Sequence, residues 1–205
     1  MTLRIHGIAS SRAARALWML EELGVPYEHV PQTYQGGATR TPAFLRLNPN
    51  GHIPVLEDGA IVVWESMAIN LYLARRFGGS LAPADLAEEA QVLRWSFWVM
   101  TECEKDALTI LFHRLIMPAE RRNPALAEQA ERALAGPLRV LDAHLAQQPW
   151  VAGSRFTVAD INLASVLAWA KAAPALIEAH PRVAGWLAAC LERPAQRKVQ
   201  AMSRG

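Results

Sequence analysis

Three short segments near the N-terminus combine hydroxyl, charged and turn-forming residues in patterns that suit the binding of a small charged molecule. In the first, Ser10 and Ser11 precede a predicted helix that has Arg12 and Arg15 in its first turn. The helix dipole disfavours cations there but favours a bound anion. Two interpretations follow: a serine cap with two solvated arginines, or an anion site. This segment alone favours the serine cap.

The second segment runs from Asn50 to Pro54 and leads into a β-rich run. A proline at the start of a strand removes one donor from the sheet. The Ile53–Pro54 bond can be trans, which is the commoner state, or cis. A cis bond would expose the backbone groups of Ile53 to an extended peptide ligand.

The third segment is the pair Glu65 and Ser66, which opens another predicted helix. An ordinary N-cap at Ser66 would account for it. Alternatively, Ser66 and the helix N-terminus hold a carboxylate while Glu65 holds an ammonium group, which makes a site for a zwitterion.

These segments lie among elements whose order is β-α-β followed by β-β-α, which predicts a mixed sheet with flanking helices. Apolar spacing predicts a helix from about residue 13 to Leu23, and the Asp58-Gly59 pair predicts a hairpin. The strands are expected at residues 3–6, 27–31, 52–57 and 60–64, and the later helix at 66–77.

From Leu86 onward the pattern becomes helical throughout. We expect a linker at residues 80–85 between a domain at 1–79 and an all-helical domain at 86–205. The helical patterns cover residues 86–117, 124–146, 157–172 and 182–192. Within them, Thr157 and Asp160 have the spacing of a capping box. We interpret Asp160 as a capping residue and not as a catalytic one.

Composition and charge exclude several classes of protein. The 205 residues include 21 Lys and Arg against 19 Asp and Glu, with no basic region for nucleic acid. Cys103 and Cys190 form no CxxC pair and no ligand cluster, which argues against a redox dithiol, a metal site or a disulfide scaffold. No apolar run reaches the ~20 residues of a membrane helix, and the N-terminus has no leader pattern. We therefore expect a cytoplasmic protein.

The order of the motifs carries a resemblance over essentially the whole chain. HGIASSRAARALWMLEELGVPYE, NPNGHIPVLEDGAIVVWESMAINLYLARRFGG, FTVADINLASVLAWA and a late RPAQRK are similar to the cytosolic glutathione S-transferase superfamily. The chain looks most like bacterial members that use serine, related to the theta class. The resemblance implies a thioredoxin-like α/β N-terminal domain with Pro54 in cis, an all-α C-terminal domain, and a homodimer that serves detoxification.

The resemblance also implies a set of glutathione contacts. They are Ser11 or Ser10, Arg12, His52, Ile53, Pro54, Glu65 and Ser66. In theta-like members the catalytic serine stands four residues before the arginine that matches Arg15, which gives Ser11, the residue we prefer. In tau-, phi- and zeta-like members it stands five before, which gives Ser10. No tyrosine or cysteine occupies either position, which argues against the tyrosine classes and the cysteine-dependent classes.

The implied chemistry is attack of the glutathione thiolate on an apolar electrophile, with glutathione as co-substrate. Lowering an ordinary thiol pKa by about two units takes ~2.7 kcal/mol. A serine hydroxyl bonded to the thiolate can supply roughly 1.5–3 kcal/mol, so no general base is needed. We expect the electrophile pocket between the domains, with Trp98, Glu102 and Lys105 on one face of the long helix.

Two further classes of function stay open on the sequence. One is a dimer that binds apolar ligands without turnover, and the other is a structural module of a larger assembly. Intact serines and an intact Glu65–Ser66 pair favour catalysis.

Overall fold

A computed structural model describes residues 3–203 of the chain. They form two compact units. One contains the chain up to Ala82 together with the C-terminal segment from Arg193, and the other is Pro83–Glu192. The sequence analysis placed the segment from Arg193 in the helical domain at 86–205. In the structure this segment belongs to the first unit instead.

The first unit contains a four-stranded sheet in the order β2-β1-β3-β4. β1 pairs in parallel with β2 and antiparallel with β3, and β3 and β4 form the predicted hairpin. The strands are β1 (Leu3–His6), β2 (Tyr27–Val30), β3 (Val55–Asp58) and β4 (Ile61–Trp64). The strand expected from residue 52 begins only at Val55, because Pro54 has no N–H to give to the sheet.

Ten α-helices lie between residues 3 and 203. They are α1 (Ala13–Leu23), α2 (Pro42–Leu47), α3 (Ser66–Phe77), α4 (Leu86–Trp98), α5 (Glu104–Leu111), α6 (Pro124–Leu145), α7 (Val158–Leu167), α8 (Pro174–Glu178), α9 (Pro181–Leu191) and α10 (Pro194–Met202). Short 3₁₀ segments include Gln35–Arg40 between β2 and α2 and Ala168–Ala172 after α7.

The first helix follows its sequence pattern closely. Ala16, Leu17 and Leu20 of α1 are fully buried. The helix ends at Gly24, which has a φ of 63° and donates its N–H to the carbonyl of Leu20. This left-handed conformation suits a glycine, because a side chain there would clash with the backbone.

The C-terminal helix α10 packs against α1, although the sequence patterns did not predict it. Arg193 donates two hydrogen bonds to the carboxylate of Glu22, at 2.6 and 2.7 Å. Lys198 lies 2.6 Å from a carboxylate oxygen of Glu21. These contacts span more than 170 residues of sequence, so local periodicity could not reveal them.

The second unit is helical, as predicted, but its first long helix is irregular. α4 and α5 are joined by a π-helical turn at Val99–Cys103, and a second one follows α5 at Phe112–Ile116. Each π turn disturbs the 3.6-residue period, so spacing arguments fail across it. None of the helices described between residues 3 and 203 is long and apolar enough to cross a membrane.

The predicted capping box is confirmed at the start of α7. The Thr157 side chain accepts from the backbone of the first turn, and Asp160 accepts from the Thr157 N–H at 2.9 Å. The flanking apolar residues Phe156 and Ile161 are both buried. Asp160 is fully buried as well, and it also accepts from the Trp186 indole at 2.9 Å. Its role is structural.

Candidate functional site

Three loops leave the sheet of the first unit at the same edge. His6 ends β1, and it pairs with Val55 at the start of β3, which pairs in turn with Trp64 at the end of β4. Residues 7–12 follow β1, residues 52–54 precede β3, and residues 65–66 follow β4. The register therefore brings together the three segments that the sequence analysis selected.

Ser10 and Ser11 lie in the turn before α1 and differ in their contacts. The Ser11 hydroxyl donates to the carbonyl of Ile8 at 2.7 Å and accepts from the N–H of Ala13 at 3.1 Å. Ser11 thus caps the first turn, and its one proton is in use. Ser10 is exposed, and its hydroxyl has no hydrogen-bond partner in the part of the chain that the structure describes. Of the two serines, Ser10 has its proton available to a ligand.

The two arginines of this segment have different environments. Arg12 is exposed, as the solvated interpretation predicts. Arg15 is only 2% exposed, and its Nη1 donates to the Ser66 hydroxyl at 3.2 Å. The expectation of two solvated arginines is therefore wrong for Arg15, because the packing of α1 against α3 places it inside the unit.

The segment before β3 is held in an irregular conformation. The Ile53–Pro54 peptide bond is cis, as the resemblance implies. Asn48 donates its side-chain amide to the carbonyl of His52 at 2.8 Å, and the His52 side chain is exposed. Within residues 3–203, the backbone N–H and carbonyl of Ile53 have no hydrogen-bond partner. They are available to a peptide-like ligand.

Glu65 and Ser66 begin α3, but their positions differ from the simple capping interpretation. Glu65 occupies the N-cap position, and Ser66 is the first residue of the helix, so Ser66 is not the cap. Glu65 is exposed and has a φ of 71°, the one positive φ of a non-glycine residue between residues 3 and 203. Such strain is concentrated at functional sites. Ser66 is 5% exposed.

Sequence reasoning missed Arg40, which lies beside the same loops. A β-carbon on Gly51 would be 2.9 Å from the Arg40 Nη1, so the guanidinium rests against the backbone just before His52. Its side chain is exposed and has no ion pair within residues 3–203. An isolated arginine in a loop of polar residues has no sequence pattern that would distinguish it.

The predicted electrophile residues lie in the second unit, where the π turn changes their arrangement. Trp98 is half-buried, with its ring edge-on to Trp95 at a centroid distance of 4.9 Å. Glu102 and Lys105 are exposed. The turn at 99–103 lies between Trp98 and Lys105 and interrupts the 3.6-residue period on which the prediction of a shared face rests.

Neither cysteine is suited to be a nucleophile. Cys103 and Cys190 are free and buried. Burial, with smaller effects of Glu102 and Asp106, raises the pKa of the Cys103 thiol to about 12. In the described part of the chain, His, Cys, Asp and Glu side chains form no group of three that could hold a metal ion. A thiolate would have to come from a ligand.

Two family models match the chain. The model of the N-terminal domain of glutathione S-transferase matches residues 1–75, and that of the C-terminal domain matches residues 124–189. The first covers all three loops of the site.

Individual proteins match over nearly the full length. Glutathione S-transferase 3 of Zea mays is 36% identical over 97% of this chain and 93% of its own length. A theta class glutathione S-transferase of Xanthomonas axonopodis, solved with glutathione bound, is 34% identical over 96% of each chain, with a TM-score of 0.84. Glutathione S-transferase I from maize, solved with an atrazine glutathione conjugate, is 30% identical over 100% of this chain and 99% of its own, with a TM-score of 0.89.

Proposed function

Since this chain belongs to the glutathione S-transferase family, we propose that its three-loop edge binds glutathione and that a serine hydroxyl there stabilises the thiolate. The protein is a glutathione transferase, and it joins the glutathione thiolate to an apolar electrophile. The observation that carries the site assignment is the strand register, which gathers residues 7–12, 52–54 and 65–66.

Two measurements test the activity and separate it from the alternatives. The protein should be retained on immobilised glutathione and should form a thioether from glutathione and a generic aryl halide. Retention without turnover would indicate a sequestering protein, and the absence of both would indicate an assembly module.

We assign the thiolate donor to Ser10. A hydroxyl has a single proton, and Ser11 gives its proton to the Ile8 carbonyl. Ser10 stands five residues before Arg15, which is the spacing of tau-, phi- and zeta-like members, whereas the theta-like spacing would select Ser11. Identifying the serine that stabilises the thiolate therefore also distinguishes theta-like members of the family from tau-, phi- and zeta-like members.

The other loops supply partners for the rest of glutathione. The free backbone groups of Ile53 suit the cysteinyl peptide unit, beside Pro54. Arg40 and His52 are exposed next to this segment and suit the glycyl carboxylate. Arg12, which is also among the expected glutathione contacts, is exposed at the start of α1. Glu65 suits the γ-glutamyl ammonium group, and Ser66 with the first amides of α3 suits the adjacent carboxylate.

Replacing Glu65 with glutamine should raise KM for glutathione more than it lowers kcat. The ammonium group is remote from the sulfur, so this contact stabilises substrate and transition state alike. A hydrogen bond to a charged group is worth ~1.5–3 kcal/mol, which corresponds to roughly 10- to 150-fold in affinity. Steady-state kinetics at varied glutathione concentration measure this change.

The matched control is glutathione without its α-amino group. The wild-type protein should bind this ligand poorly, and Glu65→Gln should lose little more. If the variant loses the same affinity for both ligands, Glu65 does not contact the ammonium group and serves only to begin α3.

For the electrophile, we propose contact with the apolar surface of the second π turn in addition to Trp98, Glu102 and Lys105. Phe112, Leu115 and Ile116 are 42%, 59% and 57% exposed. Exposed apolar side chains suit an apolar substrate better than two exposed charges do.

We also propose that the protein is a homodimer that acts in the cytoplasm in detoxification. Leu86, Leu93 and Phe97 recur at one side of α4 and are 81%, 39% and 65% exposed, a helix face that a second copy would cover. Two free buried cysteines accord with a reducing compartment. The maize relative in complex with an atrazine glutathione conjugate supports detoxification.

Phe97→Glu should convert the dimer to a monomer. The introduced carboxylate would be buried in the apolar interface without a partner. The free energy of burying this charge exceeds the free energy that the apolar contact contributes to the dimer. Light scattering after size exclusion should change from twice the 22.6 kDa chain mass to a single chain. Val140→Glu is the control, since Val140 is 55% exposed on α6 and outside this face. Equal masses for the two variants would contradict the α4 interface.

A further inference from the structure

Arg15 and Ser66 form a buried contact between two loops of the site. Arg15 Nη1 donates to the Ser66 Oγ at 3.2 Å, and the two residues are 2% and 5% exposed. The Asn70 side-chain amide adds a second bond across the same α1–α3 interface, to the Arg15 carbonyl at 3.3 Å. A cation is thus held inside the first unit, directly beside a hydroxyl at the start of α3.

The direction of this hydrogen bond decides what Ser66 can offer a ligand. A hydroxyl has one proton and two lone pairs, and a guanidinium can only donate. The bond from Arg15 therefore occupies a lone pair of Ser66 and leaves the proton free. An ionised carboxylate only accepts hydrogen bonds, so Ser66 is left in the state that a carboxylate needs.

The charge of Arg15 acts in the same direction. The first amides of α3 carry the positive end of the helix dipole. A guanidinium in a buried position beside them adds to the positive potential, and the interaction is weakly screened there. This also explains why an arginine occupies the first turn of α1, where the dipole of that helix disfavours a cation.

We propose that Arg15 is a positioning residue that orients the Ser66 hydroxyl toward the α-carboxylate of the γ-glutamyl end of glutathione. The inference rests on the proposed function and deepens it, because it names the group that prepares Ser66 for its ligand. Arg15 acts through Ser66 and not at the sulfur atom.

The test compares glutathione with γ-aminobutyryl-cysteinyl-glycine, which lacks only the α-carboxylate. KM, kcat and the pKa of the bound thiol are measured for the wild type, Arg15→Met, Ser66→Ala and the double variant. Methionine fills a similar volume without leaving an unpaired charge. The wild type should prefer glutathione by roughly 10- to 150-fold, the value of hydrogen bonds to a charged group.

Arg15→Met should remove most of this preference. KM for glutathione should rise. KM for the analogue and kcat should change by about twofold or less, and the thiol pKa should change little. In the Arg15→Met background, Ser66→Ala should add little, because the two residues act as one unit. Arg15→Lys, which keeps a donor of shorter reach, should retain an intermediate preference. If Arg15→Met does not fold, the comparison is made with Arg15→Lys alone.

Asn70→Ala is the structural control, since it removes a bond from the same interface without touching the Ser66 hydroxyl. It should lower the melting temperature and keep the preference for glutathione. The proposal is overturned if Arg15→Met and Arg15→Lys weaken both ligands equally, or raise the thiol pKa while the preference stays. A wild type without any preference would instead overturn the assignment of Ser66 in the proposed function.

Discussion

Replacing Ser10 with alanine is expected to raise the pKa of the bound glutathione thiol by at least one unit. The exposed Ser10 hydroxyl is free to donate, and a hydrogen bond to a charged sulfur is worth roughly 1.5–3 kcal/mol, or about one to two pKa units. The thiolate is the nucleophile, so conjugation near neutral pH should slow roughly tenfold. Thiolate absorbance titrated against pH measures the shift directly.

Ser11→Ala is the matched control for this prediction. Ser11 holds the turn through Ile8 and Ala13, so its loss should cost stability, about 0.5–2 kcal/mol, and leave the thiol pKa unchanged. If Ser11→Ala moves the titration and Ser10→Ala does not, Ser11 rotates in the complex and the theta-like spacing applies. If neither variant moves it, serine activation of the thiol is wrong for this protein.

Replacing Asp160 with asparagine should destabilise the protein by at least about 3 kcal/mol. The buried carboxylate accepts from the backbone of Val151 and Thr157 and from the Trp186 indole, at 2.9–3.0 Å. An asparagine would turn its NH2 group toward one set of these donors and leave them unpaired. The melting temperature should fall by roughly 6–12 °C, as measured by calorimetry.

Trp186→Phe removes a single donor and should cost less, about 1–2 kcal/mol. An Asp160→Asn variant that is no less stable than Trp186→Phe would contradict the expectation that Asp160 supports more than one of these bonds. Activity per folded molecule should stay unchanged in both variants, because Asp160 caps a helix and does no chemistry.

The features that the sequence predicted well depend on near neighbours. The capping box at Thr157 and Asp160 needs contacts over three residues, and the end of α1 at Leu23 is fixed by a contact over four, from Gly24 to Leu20. The β-α-β and β-β-α order follows from local periodicity in the same way. These features can be predicted because the interacting residues lie within a few positions of each other in the sequence.

The features that only the tertiary structure decided depend on contacts between distant parts of the chain. Arg15 is buried because Ser66, 51 residues later, lies beside it. α10 packs on α1 through Arg193 and Glu22, which are 171 residues apart. The sequence placed Ser10 and Ser11 together but could not separate their roles. The folded turn before α1 makes this distinction, because the Ser11 hydroxyl donates to the Ile8 carbonyl there and the Ser10 hydroxyl is exposed.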